Sequence, residues 1–502
     1  MGKNKIKVST FSFLKKAINV VFLIWMILIF IGSIRSTHLN ITAVSPKLFA
    51  LISLLVIFVV IYFMSNKIKS VINNKIMPYL LRHKLVLLAA WSLILIIGQI
   101  IFIDKTTTTI GFDVGGVVGE VLYGNAMPHY FSYNPNNLPL LFLEYFWGNH
   151  FGASWFSFNI MTLLSTDLGF VITILTARYI NKNNMYTTWL LSLLLLSCFP
   201  YIIVPYTDTL VLPLVSLSFL GYVITKKNND IYVKLLGSLL MGIFGMMAYL
   251  LKPSSIIFVI AIVLIEIIYL IFKNKKAKLI YIGLILLVSF GSAIGVKQIY
   301  NTYLHDQQYI KINPSMKKPP ELFLAMGMVG TGGYSPQLTD EINSLETQHE
   351  KKTASVNHIK DTLKSYGPFG YLQFLLKKNT NNTSNGAFGW LQEGNFILAP
   401  ANNRLQQLVY PNGSHLLDYF FVSQVVWIIL IVILILGYKS PKNLESIIMI
   451  LKLSIIGSLM YLLLFEGGRS RYLIQFLPQI MLLAGIYLSC YLTDETSTEN
   501  SN

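Results

Sequence analysis

Charge is scarce in this chain and cysteine nearly absent. Of 502 residues, 12% are Asp, Glu, Lys or Arg and 54% are hydrophobic, whereas soluble domains carry about 25% charged residues. That balance excludes an ordinary soluble fold. The two cysteines, Cys198 and Cys490, both fall inside apolar segments. A disulfide framework is therefore excluded, and no Cys/His spacing suited to a metal is present. An internal repeat is also missing, so a transporter built of two similar halves has no support. No basic patch with interleaved aromatics stands clear of the apolar segments. The net charge of +17 therefore does not signal nucleic acid.

What is abundant is long hydrophobic sequence, at a mean hydropathy of +0.59. Segments of roughly 18 to 20 residues, each able to cross a hydrocarbon core of about 30 Å, fall at 17–34, 48–64, 85–103, 154–179, 187–204, 207–225, 233–250, 254–273, 278–297, 419–437, 444–465 and 471–491. The expected fold class is all-α and polytopic, with about 12 transmembrane helices. The basic N-terminus before the first segment is signal-like, but Arg35-Ser36-Thr37-His38 follows where a small-residue cleavage site would stand. The first segment is read as an uncleaved span.

Lysine and arginine alternate from loop to loop. Lys67, Lys69, Lys75, Arg82 and Lys84 share a side with the basic N-terminus, as do Arg178 and Lys182, Lys226 and Lys227, Lys273 to Lys278, and Lys439 and Lys442. The positive-inside rule then places both termini in the cytoplasm of a multi-pass cell-membrane protein. The organisation reads as a two-span extension (1–84), a membrane core (85–297), an extracytoplasmic loop region (298–418), three final spans (419–492) and a polar, disordered cytoplasmic tail (493–502). Within the core, residues 104–153 form a first large outer loop. Its stretch from Leu138 to Trp147 is too short to span and reads as an interfacial helix.

The unusual polar motifs all emerge on the side away from the cytoplasm. Asp113, in Gly111-Phe112-Asp113-Val114-Gly115-Gly116, either caps a juxtamembrane helix or serves as a general base. The run Tyr133-Asn134-Pro135-Asn136-Asn137 forces turns. Tyr133, Asn136 and Asn137 also offer stacking and hydrogen bonds suited to a sugar. In Pro205-Tyr206-Thr207-Asp208-Thr209, Asp208 caps a helix or provides a second acid near Asp113. Lys252 in Lys252-Pro253-Ser254 breaks the charge rule; it snorkels or meets a phosphate. Glu466, Arg469 and Arg471 in Phe465-Glu466-Gly467-Gly468-Arg469-Ser470-Arg471-Tyr472 put two planar donor forks where a lipid phosphate would lie. Within the spans, Glu266 and Lys452 lie close enough to cytoplasmic boundaries to snorkel, and Asp167 stands near mid-span without an evident role.

In order and sidedness these motifs resemble the GT-C superfamily of integral membrane glycosyltransferases. The likeness is to the protein-mannosyltransferase and aminoarabinose-transferase-like branch in its Gram-positive bacterial subgroup, over about residues 85 to 490. The segments Phe323 to Tyr334 and Gly389 to Phe396 are similar to outer-loop segments of that subgroup. The resemblance implies a polyprenyl-phosphate-linked sugar as donor, with a glycan, glycolipid or protein acceptor. It makes Asp113 the catalytic base, Asp208 a second acid, and Lys252, Arg469 and Arg471 partners of the donor phosphate; the motifs themselves add Tyr133, Asn136, Asn137, Tyr206 and Glu466 as substrate-binding candidates, Glu466 as an orienter of an arginine. Many relatives carry an acidic pair in the first outer loop, whereas Val114 follows Asp113 here. No cofactor is required by this reading; a divalent cation, if bound, would take Asp113 and Asp208. The alternatives are a lipid or polysaccharide transporter or flippase, which calls for polar groups at the membrane midplane, and a polysaccharide polymerase.

Overall fold

The computed structural model describes residues 2–124, 129–272, 279–392, 396–437, 444–465 and 467–499. Its principal helices are α1 (Gly2–Ile34), α2 (Pro46–Met64), α3 (Lys84–Thr106), α4 (Phe112–Tyr123), α5 (Leu138–Phe151), α6 (Trp155–Ile180), α7 (Lys182–Leu196), α8 (Leu212–Lys227), α9 (Ile231–Leu251), α10 (Ile256–Phe272), α11 (Leu279–Asp306), α12 (Gln348–Thr383), α13 (Leu416–Leu436), α14 (Glu445–Leu464) and α15 (Leu477–Glu499). Among the described residues the only β pairing is an isolated bridge between Ile110 and Ile397. The protein is an all-α polytopic membrane protein, as its hydropathy requires.

Eleven described helices are long and apolar enough to cross a bilayer. The remaining predicted span, 187–204, is helical only to Leu196 and then gives way to a 3-10 turn at Pro200–Ile203. Proline lacks an amide donor and disfavours helical backbone at the residue before it, so Phe199-Pro200 ends the helix early. At the other extreme, α15 runs past the predicted boundary at 491 to Glu499, because no Gly or Pro follows Gly485 in that stretch to stop it.

The centre of the bundle is α15, the most deeply buried of the spans, packed against α6, α7, α13 and α14. Helix α2 buries none of its residues, so it stands at the periphery of the bundle. Close approach between spans depends on small residues: a Cβ added at Gly221 of α8 would lie 2.5 Å from the carbonyl oxygen of Gly237 on α9. Such contacts replace the hydrophobic drive that lipid removes. Several charged side chains inside spans are paired. Gln99 of α3 donates to Asp167 of α6 at 3.1 Å, and Glu266 accepts from Tyr222 at 2.6 Å and from Lys226. Lys452 does not snorkel: it is 2% exposed and donates to Asn19 of α1 at 2.7 Å.

The predicted interfacial helix is α5, too short to span. The region 298–418 is more than a connector. Helix α12 crosses α1 and α14, and the chain after it plugs one end of the bundle. There Trp390 and Phe388 are buried, Trp427 of α13 donates to the Thr383 carbonyl at 2.8 Å, and Tyr201 donates to the Phe388 carbonyl at 2.6 Å. The plug holds Asp113 in place from one side, through Gly111 N–H donating to the Phe396 carbonyl at 2.9 Å.

Candidate active site

Asp113 lies in the first turn of α4, after Gly111 and after Phe112, whose φ of +55° is a left-handed conformation that a large side chain rarely adopts. The bridge to Ile397 holds that turn, and Asp113 stays exposed. Both of its oxygens accept phenolic hydrogens: Oδ1 from Tyr130 at 2.8 Å and Oδ2 from Tyr206 at 3.4 Å. The carboxylate is thereby oriented while one side remains open to solvent.

Tyr130 and Asn137 come from the Asn/Pro-rich segment. A helical turn at Tyr130–Tyr133 and a 3-10 turn at Pro135–Asn137 lead directly into α5. Asn137 is buried, and its amide donates to the hydroxyls of Tyr130 at 2.5 Å and Tyr206 at 3.4 Å. Burial raises both tyrosine pKa values well above 10, with the charge of Asp113 adding to the shift. Both hydroxyls therefore keep their protons and donate.

Tyr206 links this acid to a cationic cluster. It has extended backbone just after the break that ends α7. Its ring lies 5.9 Å from Lys252 Nζ and 5.5 Å from the Arg471 guanidinium; Tyr472 lies 5.2 and 5.5 Å from the same two groups. Lys252 terminates α9, where Pro253 prevents the helix from continuing. Arg471 lies in the 3-10 run Ser470–Phe476 that leads into α15. Between them is Asp208, 2% exposed at its side chain, paired through Oδ1 with Lys252 and through Oδ2 with Arg471 Nε at 3.3 Å. The latter is an ion pair without the alignment of a hydrogen bond. Two cations share one carboxylate, so these three side chains carry one net positive charge beside Asp113. Such a pattern suits an anion.

The predicted residues do not all converge. Asp113, Asn137, Tyr206, Asp208, Lys252 and Arg471 form the cluster. Arg469 turns toward another loop: its backbone N–H donates to Asn382 Oδ1 at 3.2 Å, and its Nε would lie 3.4 Å from a Cβ placed on Gly333. Tyr133 contributes its carbonyl, which accepts from the Lys318 N–H at 3.4 Å. Asn136 is exposed and donates to Asn137 at 3.3 Å. Glu466 lies outside the described residues. Two further participants are Tyr130 and Tyr472; Tyr472 adjoins Arg471 in sequence and Tyr130 opens the aromatic run that ends at Tyr133. As a metal site the donor set fits poorly, because a divalent ion would have to displace a cation from Asp208. No group of three or more His, Cys, Asp or Glu side chains converges among the described residues.

A helical bundle carrying an acid and a cationic cluster at one end defines an integral membrane protein with a polar site. The chain matches the family described as conserved hypothetical integral membrane protein over residues 10–490, and it belongs to that family. No protein of curated function matches it. Two solved structures are similar. Both are of ArnT from Cupriavidus metallidurans, one bound to undecaprenyl phosphate and one in the apo state. Each is 13% identical, with 80% of this chain covered, 77% and 76% of theirs, and TM-scores of 0.34 and 0.32. Superpositions this loose do not carry the functional reading, which rests on the site.

Proposed function

We propose that the protein is a glycosyltransferase that moves a sugar from a polyprenyl-phosphate donor to an extracytoplasmic acceptor, a cell-wall polymer, glycolipid or protein. The observation that carries this reading is the Tyr206 bridge between an exposed carboxylate, Asp113, and the Lys252–Asp208–Arg471 cluster. A base and an anion site are thus fixed in one frame. The lipid phosphate binds Lys252 and Arg471, and the sugar C1 lies between that phosphate and Asp113. Asp113 takes the proton of the acceptor hydroxyl as its oxygen attacks C1. The C1–O bond to phosphate breaks, and its electron pair leaves on the lipid phosphate, where the two cations stabilise the developing charge. Attack opposite the leaving group inverts the anomeric centre.

The test uses the full chain in nanodiscs with a radiolabelled polyprenyl-phosphate monosaccharide, with and without candidate acceptors. Acceptor-dependent loss of label from the lipid is expected, together with loss of transfer but retained donor binding in Asp113→Asn. Full transfer by purified Asp113→Asn rejects the role of that acid. Movement of intact donor across the bilayer without cleavage indicates a transporter instead.

A further inference from the structure

Helix α12 changes character at Gly367-Pro368, where Gly367 adopts φ 59° and ψ 178° and kinks the helix. Before the kink the sequence is charged, with Glu350, Lys351, Lys352, Lys360, Asp361 and Lys364; from Phe369 to Leu376 there is no charged residue. Phe369, Leu372 and Leu376 lie along one helical face and are 88%, 55% and 48% exposed. In water such a stripe would be a liability.

The C-terminal part of the helix is locked into the bundle, Asn379 on the same stripe and Lys378 and Asn382 on the opposite face. Trp25 of α1 donates to Asn379 Oδ1 at 2.7 Å. Trp25 lies roughly 13 Å along its helix from the end at Ile34, so Asn379 meets α1 within the span and not above it. Lys378 is 1% exposed, and its ammonium donates to three carbonyl oxygens, those of Gly327 at 2.6 Å, Leu463 at 2.9 Å and Phe465 at 2.6 Å. Asn382 donates to the Leu462 carbonyl at 2.9 Å and accepts from the Arg469 N–H. The spans that α12 crosses expose Leu28, Ile31, Met460 and Leu464, side chains whose only suitable surroundings are hydrocarbon. The exposed stripe of α12 continues that surface.

We propose that residues 368–383 are a membrane-seated clamp: Phe369, Leu372 and Leu376 enter the bilayer hydrocarbon, while Lys378 and Asn382 on the other face hold the end of α14 at Leu462 to Phe465 and the backbone of Arg469. The partner of the exposed face is lipid. Charge-assisted bonds from one ammonium to three carbonyls are strong because the site is dry, so seating of the helix fixes the turn. This inference does not depend on the proposed chemistry.

Two measurements on the full chain in nanodiscs test it. First, in a background with Cys198 and Cys490 replaced by Ser, an environment-sensitive fluorophore is placed at Leu372→Cys or, as control, at Lys364→Cys. Quenching by doxyl-labelled lipid at 372 and by aqueous iodide at 364 is expected. Iodide quenching at 372 as strong as at 364 overturns the seating. Second, hydrogen exchange of 462–470 should rise at least about tenfold in Lys378→Met, with the middle of α14 unchanged. Asn382→Ala, which removes two bonds without burying a new group, should raise it in the same segment. Wild-type exchange of 462–470 in whichever variant accumulates overturns the clamp.

Discussion

The hydroxyl of Tyr206 donates to Oδ2 of Asp113 at 3.4 Å, although 93 positions of chain separate the two residues. The same side chain presents its ring to Lys252 and Arg471. Tyr206→Phe keeps the ring and removes the donor. A hydrogen bond to a charged group contributes about 1.5–3 kcal/mol, so kcat should fall roughly 10- to 100-fold with donor KM little changed. Tyr206→Ala should impair both constants. Steady-state kinetics on the purified pair decide it; wild-type turnover in Tyr206→Phe removes the bridge from the mechanism.

Asp208 is held between two cations at 2% exposure. In the proposed reaction it would hold Lys252 and Arg471 rather than carry a proton. Removing one partner of a buried ion pair costs about 3–5 kcal/mol because the remaining charge is uncompensated. Asp208→Asn should therefore lower the melting temperature and weaken donor binding. The pH profile of the residual transfer should keep its wild-type shape. A profile that loses one limb would instead identify Asp208 as an acid or base in the reaction.

Because Asp208 is occupied by cations, transfer is expected to proceed without a divalent ion. Activity after exhaustive treatment with a chelator should match the untreated enzyme, and added Mg²⁺ or Mn²⁺ should not raise it. Abolition by chelator and recovery with one metal would require Asp208 to release Lys252 or Arg471.

The spans and the polar end of this molecule were legible because both depend on local patterns, a hydropathy window and a lysine alternation. Segment 187–204 differs from its sequence reading only in its last third, where the helix stops at Leu196. Phe199 and Tyr201 to Val204 are apolar enough to belong to a helix, yet Pro200 turns them into buried packing. The site was legible residue by residue but not in its wiring. Asp208 and Lys252 each had a sound capping or snorkelling explanation in isolation, and only tertiary proximity shows that they neutralise each other. Arg469 and Arg471 were equivalent by composition; their backbones send one toward Asn382 and the other toward Asp208. Lys378 gave no sign, since Lys377-Lys378 in a polar stretch reads as a solvated pair, and its carbonyl partners come from two distant turns.

His38 makes stability depend on pH. Its ring stacks on Phe420 at 4.3 Å, its Nε2 lies 2.6 Å from the Gln392 amide, and burial lowers its pKa from 6.5 to about 4. The unfolded chain therefore takes up this proton first as pH falls. The contribution is complete above about pH 6.5 and lost between 6.5 and 4, on the order of 3 kcal/mol by the end of that window. His38→Phe keeps the stacking and has no proton to bind. Its melting temperature should fall less than that of the wild type between pH 7 and pH 4.5. Parallel curves for the two proteins would show that His38 titrates normally.

Glu144 of α5 is fully buried, and neither of its oxygens has a hydrogen-bond partner among the described residues. Burial raises its pKa well above 4.5, so it is held as the neutral acid. An unsatisfied buried polar group costs about 1–3 kcal/mol, and Met fills a similar volume without it. Glu144→Met should raise stability by about that amount, and Glu144→Gln, which keeps the polar burial, should not. Both should retain transfer if the acid is only a packing fault. The informative pairing is thermal melting with activity on the same preparations. A more stable Glu144→Met that no longer transfers would mean that this neutral carboxyl serves the reaction, and that its lack of a partner in the resting state is a place kept for one.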